Sequence, residues 1–293
     1  LTKVDSEGNV VWSKAVGGTG NDFFDRIIRT TDNGFMVCGQ TKSYGNTAGD
    51  VWLVKFDASG TVEWSKKYGD GNVNGEMAYD VIQLSDGGYA FCGVHRFAGG
   101  VAQSFVVRTD DQGNAVWSKQ YGNTLSDDAT GLLEDGNSLL VTGFYQGTSF
   151  YEGYLMKLDL SDGAVEWVNG YDAENRSTWF NKISKTNSGY QVFSIITDNY
   201  SDQNQQECIW NLDIDGNVQD IRKLVIPGNW TISYGWHPLS DGGFIGVNGA
   251  NNSGSDVIVC HVDASGNVDW SKKYITTGKQ QITTIAPSSG GGY

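Results

Sequence analysis

Apolar and polar residues follow two patterns along this chain, and each pattern predicts β-strands. In residues 62–68 apolar and polar side chains alternate, the period of two that is typical of a half-buried outer strand. The segments 35–38 and 51–54 are apolar without alternation, as expected for strands that are covered on both faces. Together with an inner strand at 25–31, they predict a unit of four strands.

The four-strand unit repeats, and its markers are an aspartate and a tryptophan. The aspartates recur at intervals of 52, 53, 49, 54 and 50 residues: Asp5, Asp57, Asp110, Asp159, Asp213 and Asp263. In five copies a tryptophan follows, which we interpret as a structural residue of the repeat: Trp12, Trp64, Trp117, Trp167 and Trp270. The fifth copy has Asp220 at that place. A period near fifty residues is typical of repeat arrays and propellers.

Four strands per unit at this period predict an all-β fold, a β-propeller of four-stranded antiparallel blades. We expect one domain, 1–293, with six blades. Five are complete, at about 19–69, 70–122, 123–172, 173–225 and 226–275, and the sixth is a composite of 276–293 and 1–18. A ring of seven or eight blades, with part of the chain missing, is the alternative. Because the second strand of the composite blade would begin at Tyr293, we expect a fragment of a longer chain with adjoining domains.

The charge of the chain narrows the choice of partners. The net charge is −14, from 34 acidic and 20 basic residues. Nucleic acids and anionic membranes require a basic face, so we predict no nucleic-acid binding. We also predict no membrane insertion, since no apolar stretch approaches the length of a membrane span. An acidic surface is typical of a secreted or surface protein, and we expect an extracellular or cell-surface location.

The sequence predicts no catalytic residue, no metal site and no cofactor. The three histidines are too few and too scattered for a zinc site: His95, His237 and His261. Asp213, Asp215 and Asn217 are spaced like the start of a calcium loop, but the later acidic ligands are missing. We therefore expect no cofactor, with calcium binding at this turn as the alternative.

Positions that differ between the repeats are the candidates for ligand binding, because the shared architecture does not explain them. Aligned on the turn, one inner-strand position reads Asp25, Tyr79, Asp128, Phe180, Tyr234 and Thr283. Around it we predict an aromatic ligand-binding rim at the mouth of the channel: Tyr79, Trp179, Phe180, Trp230, Tyr234 and Trp236. Aromatic faces beside amides and carboxylates suit a sugar or peptide. The alternative is that these rings fill space between blades.

The Asp-x-x-Gly-x-x-x-Trp element resembles the tryptophan-docking repeat of quinoprotein-type propellers, and the copy at 159–167 has that family's wider spacing. The resemblance implies that each tryptophan docks against the neighbouring blade. Enzymes of that family carry a quinone cofactor and calcium, and the pair of adjacent cysteines seen in some of them is missing here. In character the repeats are most similar to non-catalytic bacterial and archaeal cell-surface propellers, which read Asp-Gly-Gly-Tyr and then Trp-Ser-Lys-x-Tyr-Gly.

These features favour a binding, adhesion or structural scaffold module over an enzyme. The expected partner is a glycan or protein ligand at the channel rim. Two alternatives stay open. The first is a specific carbohydrate-binding module that uses the aromatic rim. The second is a propeller enzyme, a glycosidase, lyase or quinoprotein relative, with rim carboxylates as acid and base. The carboxylates near this rim are Asp22, Asp25, Asp80, Asp127 and Asp128.

Overall fold

The computed structural model describes these residues: 1–4, 10–69, 74–122, 125–173, 176–198, 205–224, 235–239, 243–249, 257–274 and 284–285. The regular secondary structure in these ranges consists of β-strands. Among the described residues, no helix is long and apolar enough to cross a membrane.

In the described ranges, the strands form one hairpin and five sheets of four. The hairpin consists of β1 (Thr2–Val4) and β2 (Val10–Ser13). Blade 1 is β3 (Asp22–Arg29), β4 (Phe35–Thr41), β5 (Asp50–Phe56) and β6 (Val62–Tyr68); blade 2 is β7 (Glu76–Gln83), β8 (Tyr89–Arg96), β9 (Ala102–Thr109) and β10 (Ala115–Tyr121). Blade 3 is β11 (Asp127–Asp135), β12 (Ser138–Gln146), β13 (Tyr151–Asp159) and β14 (Val165–Tyr171). Blade 4 is β15 (Ser177–Lys185), β16 (Gly189–Thr197), β17 (Gln206–Asp213) and β18 (Val218–Lys223); blade 5 is β19 (His237–Pro238), β20 (Phe244–Gly249), β21 (Val257–Val262) and β22 (Val268–Tyr274).

Five sheets of four antiparallel strands make this an all-β propeller with five blades. The prediction of six blades is wrong, and so is the alternative of seven or eight. Each motif copy supplies only the turn between a third and a fourth strand, and the first copy falls on the hairpin β1–β2. Six motif copies therefore correspond to five blades. Of the expected composite blade, 276–293 plus 1–18, the structure describes this hairpin and residues 284–285 but no four-stranded sheet.

The chain divides into two compact units. The first unit is Leu1–Ala129 with Ala286–Tyr293, and it contains the hairpin, blade 1 and blade 2. The second unit is Thr130–Ile285, and it contains most of blade 3 together with blades 4 and 5. The contacts below lie within one unit or the other.

The burial of the strands follows the sequence pattern. All seven residues of β5 are buried, as expected for a strand covered on both faces. Along β6, exposed residues alternate with the half-buried Trp64, Lys66 and Tyr68. The predicted half-buried outer strand is therefore confirmed in blade 1.

Repeat tryptophans lie across the glycine of the next motif copy. In the first unit, a Cβ built on Gly113 would lie 2.9 Å from Cη2 of Trp64, and Gly113 has a φ of +74°. The Tyr68 hydroxyl donates to the Gly113 carbonyl oxygen at 2.7 Å. In the second unit Trp167 lies across Gly216 in the same way. These contacts join the outer strand of one blade to the turn of the next.

The fifth motif copy joins its neighbour differently. Where the other copies have tryptophan it has Asp220, and Arg222 reaches the next turn instead. Arg222 Nη1 donates to the Ser265 carbonyl oxygen at 2.7 Å, and its Cδ lies 3.7 Å from a Cβ built on Gly266. The junction between blades 4 and 5 therefore uses an exposed arginine, whereas the junctions at Gly113 and Gly216 use a tryptophan.

Candidate functional site

The structure describes four of the six predicted ligand-binding residues, and it places them in two kinds of environment. Trp230 and Tyr234 lie outside the described residues. Phe180 and Trp236 are fully buried, at 0% exposure each. Tyr79 and Trp179 are partly exposed.

Phe180 and Trp236 are core residues, which corrects their assignment to a ligand site. The Phe180 ring lies 5.2 Å from that of Trp210, edge to face, inside the hydrophobic cluster of blades 3 and 4. The Trp236 ring packs 4.2 Å from that of Phe193 in the next cluster. For these two rings, the alternative interpretation of filling space between blades is right.

A β-bulge explains why Phe180 points into the core. The ladder between the first two strands skips one inner-strand residue in three blades: Asp25, Tyr79 and Asn181. The turn between β15 and β16 is one residue shorter than the turn between β3 and β4 of blade 1. The sequence alignment therefore assigns the bulge position to Phe180, whereas in the structure Asn181 occupies it. Successive strand residues face opposite sides, and this shift of one sends Phe180 inward.

The bulged Tyr79 is the centre of a polar cluster in the first unit, with Asp25, Arg96 and Asp128; we call it the tyrosine–aspartate cluster. Arg96 Nη2 donates to the Tyr79 hydroxyl oxygen at 3.4 Å. Tyr79 also lies close to Asp128 and lowers the pKa of that carboxyl group. Burial raises the pKa of Tyr79 above its ordinary value, the charges of Asp128 and Asp25 add to this, and Arg96 opposes it. Tyr79 is therefore a neutral hydrogen-bonding group.

The pKa of Asp128 in this cluster is raised. Burial raises the pKa of Asp128 from 3.8 to about 6, and the charge of Asp127 adds a smaller increase. Arg96 and Tyr79 act in the opposite direction. A carboxyl group with such a raised pKa can hold a proton close to neutral pH, which is the property required of a general acid.

Replacing Asp128 with asparagine is expected to stabilise the fold at high pH. Because the pKa is raised on folding, the native state binds the proton more tightly, and stability falls as the pH rises from about 4 through 6. Asparagine removes the buried charge and keeps a polar side chain beside Tyr79. We expect the free energy of unfolding of Asp128→Asn to be about 2 kcal/mol higher than that of the wild type at pH 8 and nearly the same at pH 4.

The measurement is urea unfolding followed by fluorescence at both pH values. It is done at low protein concentration, because the sequence pI is about 4.5. A difference between variant and wild type that is the same at pH 4 and pH 8 would contradict the raised pKa.

Two other rim carboxylates, Asp22 and Asp80, form hydrogen bonds or ion pairs with neighbouring strands and loops. Although burial acts to raise it, hydrogen bonds from Ser43 and Thr41 lower the pKa of Asp22 to about 2. Those side-chain bonds are both 2.5 Å long, and Asp22 also accepts from the Gly18 backbone. Asp80 forms a buried ion pair with Arg26 of blade 1, 3.1 Å from its Nε. Asp22 and Asp80 therefore have structural partners.

The motif turns use their aspartates for backbone hydrogen bonds. Asp213 Oδ1 accepts from the backbone N–H of Asp215 at 3.0 Å and of Asn217 at 2.8 Å. Asp57, Asp110 and Asp263 do the same in their turns. Within the described ranges, no three His, Cys, Asp or Glu side chains are grouped as a metal site would require.

In the second unit, Trp179 belongs to a group of partly exposed aromatic residues with Phe144 and Tyr151; we call this group the aromatic ledge. The Trp179 ring centroid lies 6.2 Å from that of Phe144 and 6.3 Å from that of Tyr151. The Phe144 and Tyr151 rings are 5.6 Å apart and nearly perpendicular, at 77°. Gln146 pairs with Tyr151 in the ladder and is exposed. Three strands of two blades thus contribute to one patch.

Sequence reasoning found Trp179 and missed Phe144, Tyr151 and Gln146. Alignment of the inner strands cannot find them, because they lie at the ends of β12 and β13. One signal was available: aromatic residues on both sides of the loop 147–150, at positions that the repeat does not require.

No family model and no curated protein matches the chain. Solved structures do match. A protein of unknown function from Dyadobacter fermentans has a TM-score of 0.62 at 12% identity, over 90% of this chain and 87% of that one. The subtype N10 neuraminidase-like protein of A/little yellow-shouldered bat/Guatemala/060/2010 has a TM-score of 0.53 at 12% identity, over 94% and 90% of the two chains.

A puromycin hydrolase matches with a TM-score of 0.50 at 12% identity, over 87% of this chain. The chain spans only 38% of that hydrolase. At such identities these similarities establish the propeller fold alone, because unrelated activities share this architecture. The tryptophan-docking repeat type, which no family model confirms, stays a prediction.

Proposed function

We propose that this chain is a non-catalytic binding module of an extracellular or cell-surface protein, in which the framework of blades is the scaffold of the binding site. The observation that carries the proposal is the aromatic ledge, where Phe144, Tyr151 and Trp179 stay partly exposed together. Grouped exposed aromatic residues mark interaction sites on folded proteins. The net charge of −14 agrees with a surface location.

The junctions between blades support the scaffold part of the proposal. Trp64 on Gly113 and Trp167 on Gly216 repeat one contact in different blades. This is the contact that the resemblance to tryptophan-docking surface propellers implies, and we propose that the chain is of that repeat type. Such a rigid frame presents loops and strand ends in fixed positions, which is the requirement of a recognition module.

The test is a binding screen of the purified chain against a glycan array and a panel of extracellular-matrix proteins, with and without calcium. A parallel assay offers aryl glycosides and aryl esters as general substrates. We expect saturable, selective retention and no release of aryl alcohol. Turnover of any substrate, or no retention on either array, would overturn the proposal.

A propeller enzyme is the second candidate, and the tyrosine–aspartate cluster favours it. Asp128, with its pKa raised to about 6 by burial, lies beside the hydroxyl group of Tyr79 and the exposed Arg96. If the chain is an enzyme that uses this acid, Asp128→Asn abolishes turnover while the fold persists. Turnover that Asp128→Asn leaves unchanged would exclude this role for Asp128.

A further inference from the structure

We infer that the aromatic ledge binds a neutral oligosaccharide, with Phe144, Tyr151 and Trp179 as stacking platforms and Gln146 as a polar contact. This inference rests on the proposed binding function and names its ligand class and its site. The first support is the grouping of three partly exposed rings. The second is the exposed amide beside them, and the third is the charge around the patch.

The rings of the ledge meet at steep angles and keep solvent-accessible surface. Trp179 is tilted by 54° against Phe144 and by 64° against Tyr151. Similar angles occur in the core, where the Phe193 and Phe244 rings are 6.1 Å apart and tilted by 57°, but both of those rings are fully buried. What distinguishes the ledge from a core cluster is that all three of its rings are partly exposed. The C–H face of a pyranose ring stacks on such aromatic surfaces.

The polar group that a sugar requires lies on the same side of the sheet. Gln146 is two residues after Phe144 on β12, and it is the ladder partner of Tyr151 on β13. Side chains at such positions point to one face. An exposed amide both donates and accepts hydrogen bonds, and so does a sugar hydroxyl group, so the two can pair. Directional polar contacts beside aromatic walls are typical of ligand sites.

The charges nearby favour a neutral ligand over an anionic one. Glu152, which accepts a hydrogen bond from Tyr145, directly follows Tyr151. Arg176 at the start of blade 4 is paired with Asp198, so its charge is already balanced. With a net charge of −14 on the whole chain, sialylated or sulfated glycans are repelled. A neutral oligosaccharide meets no such repulsion.

The test compares neutral, sialylated and sulfated oligosaccharides, together with tyrosine- and proline-rich peptides, for binding to wild type and variants by titration calorimetry. Trp179→Ala is expected to weaken binding of the neutral oligosaccharide about tenfold or more, since a stacking contact contributes on this scale. Gln146→Ala, at an exposed position where folding is not at risk, is expected to weaken it several-fold. Trp179→Phe keeps an aromatic face and restores most of the affinity.

Trp270→Ala is the matched control. Trp270 lies in the same unit, is 38% exposed, and stacks 6.0 Å from the ring of His261, away from the ledge residues in sequence and blade. We expect it to bind like the wild type. If Trp179→Ala and Gln146→Ala bind neutral oligosaccharides as tightly as the wild type, the inference is overturned and the proposed function stands. If the wild type binds only peptides or charged glycans, the same holds. If it binds no ligand at all, both fail.

Discussion

Replacing Gly113 with alanine is expected to lower the free energy of unfolding by about 3 kcal/mol. Two costs add up. Gly113 has a φ of +74°, where an L-residue with a Cβ is strained by about 1–2 kcal/mol. The new Cβ would also lie 2.9 Å from Trp64 Cη2, and such overpacking costs about 1–3 kcal/mol. The measurement is equilibrium unfolding in urea.

Gly87→Ala is the matched control for this prediction. Gly87 has a φ of +90°, yet a Cβ built there has nothing within 4 Å. It carries the backbone strain without the clash, and we expect a loss of about 1 kcal/mol. Gly113→Ala should also cost less in a Trp64→Ala background than alone. Equal losses of unfolding free energy at the two glycines would show that a Cβ at position 113 does not clash with Trp64.

Replacing Asp80 with alanine is expected to lower the free energy of unfolding by about 3–5 kcal/mol, the usual cost of breaking a buried ion pair. Asp80 lies 3.1 Å from Arg26 Nε, and the two side chains are 3% and 7% exposed. They join the inner strands of blades 2 and 1. The variant leaves the Arg26 guanidinium buried without this carboxylate, and urea unfolding measures the loss.

Two controls separate this effect from a general loss of packing. The double variant Arg26→Met with Asp80→Leu removes both charges and is expected to recover most of the stability. Asp220→Ala breaks a pair with Arg222 in which both side chains are 47% exposed, and we expect it to cost less than about 1 kcal/mol. A double variant as unstable as Asp80→Ala would contradict the electrostatic explanation.

Much of the fold could be predicted from the sequence because blades repeat local patterns. Strand periodicity gave the sandwiched and outer strands, as β5 and β6 illustrate. The blade number could not be obtained in this way. A motif copy marks one turn, and the first copy has only the hairpin β1–β2 among the described residues. Counting copies therefore overestimates the number of four-stranded sheets.

The candidate sites were harder to predict, since they depend on register and on contacts between blades. Tyr79 aligns correctly because the turns of blades 1 and 2 have equal length. Phe180 aligns incorrectly because its turn is one residue shorter, which places Asn181 in the bulge. Phe144 and Tyr151 join Trp179 only through the packing of blade 3 on blade 4. No pattern within one repeat encodes that contact.

The most direct test of the central claim, a binding module with an aromatic ledge, is saturation-transfer NMR with a neutral oligosaccharide. Irradiation of the aromatic protons is expected to transfer saturation to the sugar ring protons in the wild type and in Trp270→Ala, and to transfer much less in Trp179→Ala, which binds the sugar more weakly. The sugar spectrum should stay unchanged after prolonged incubation. Absence of transfer in the wild type, undiminished transfer in Trp179→Ala, or conversion of the sugar would contradict the account.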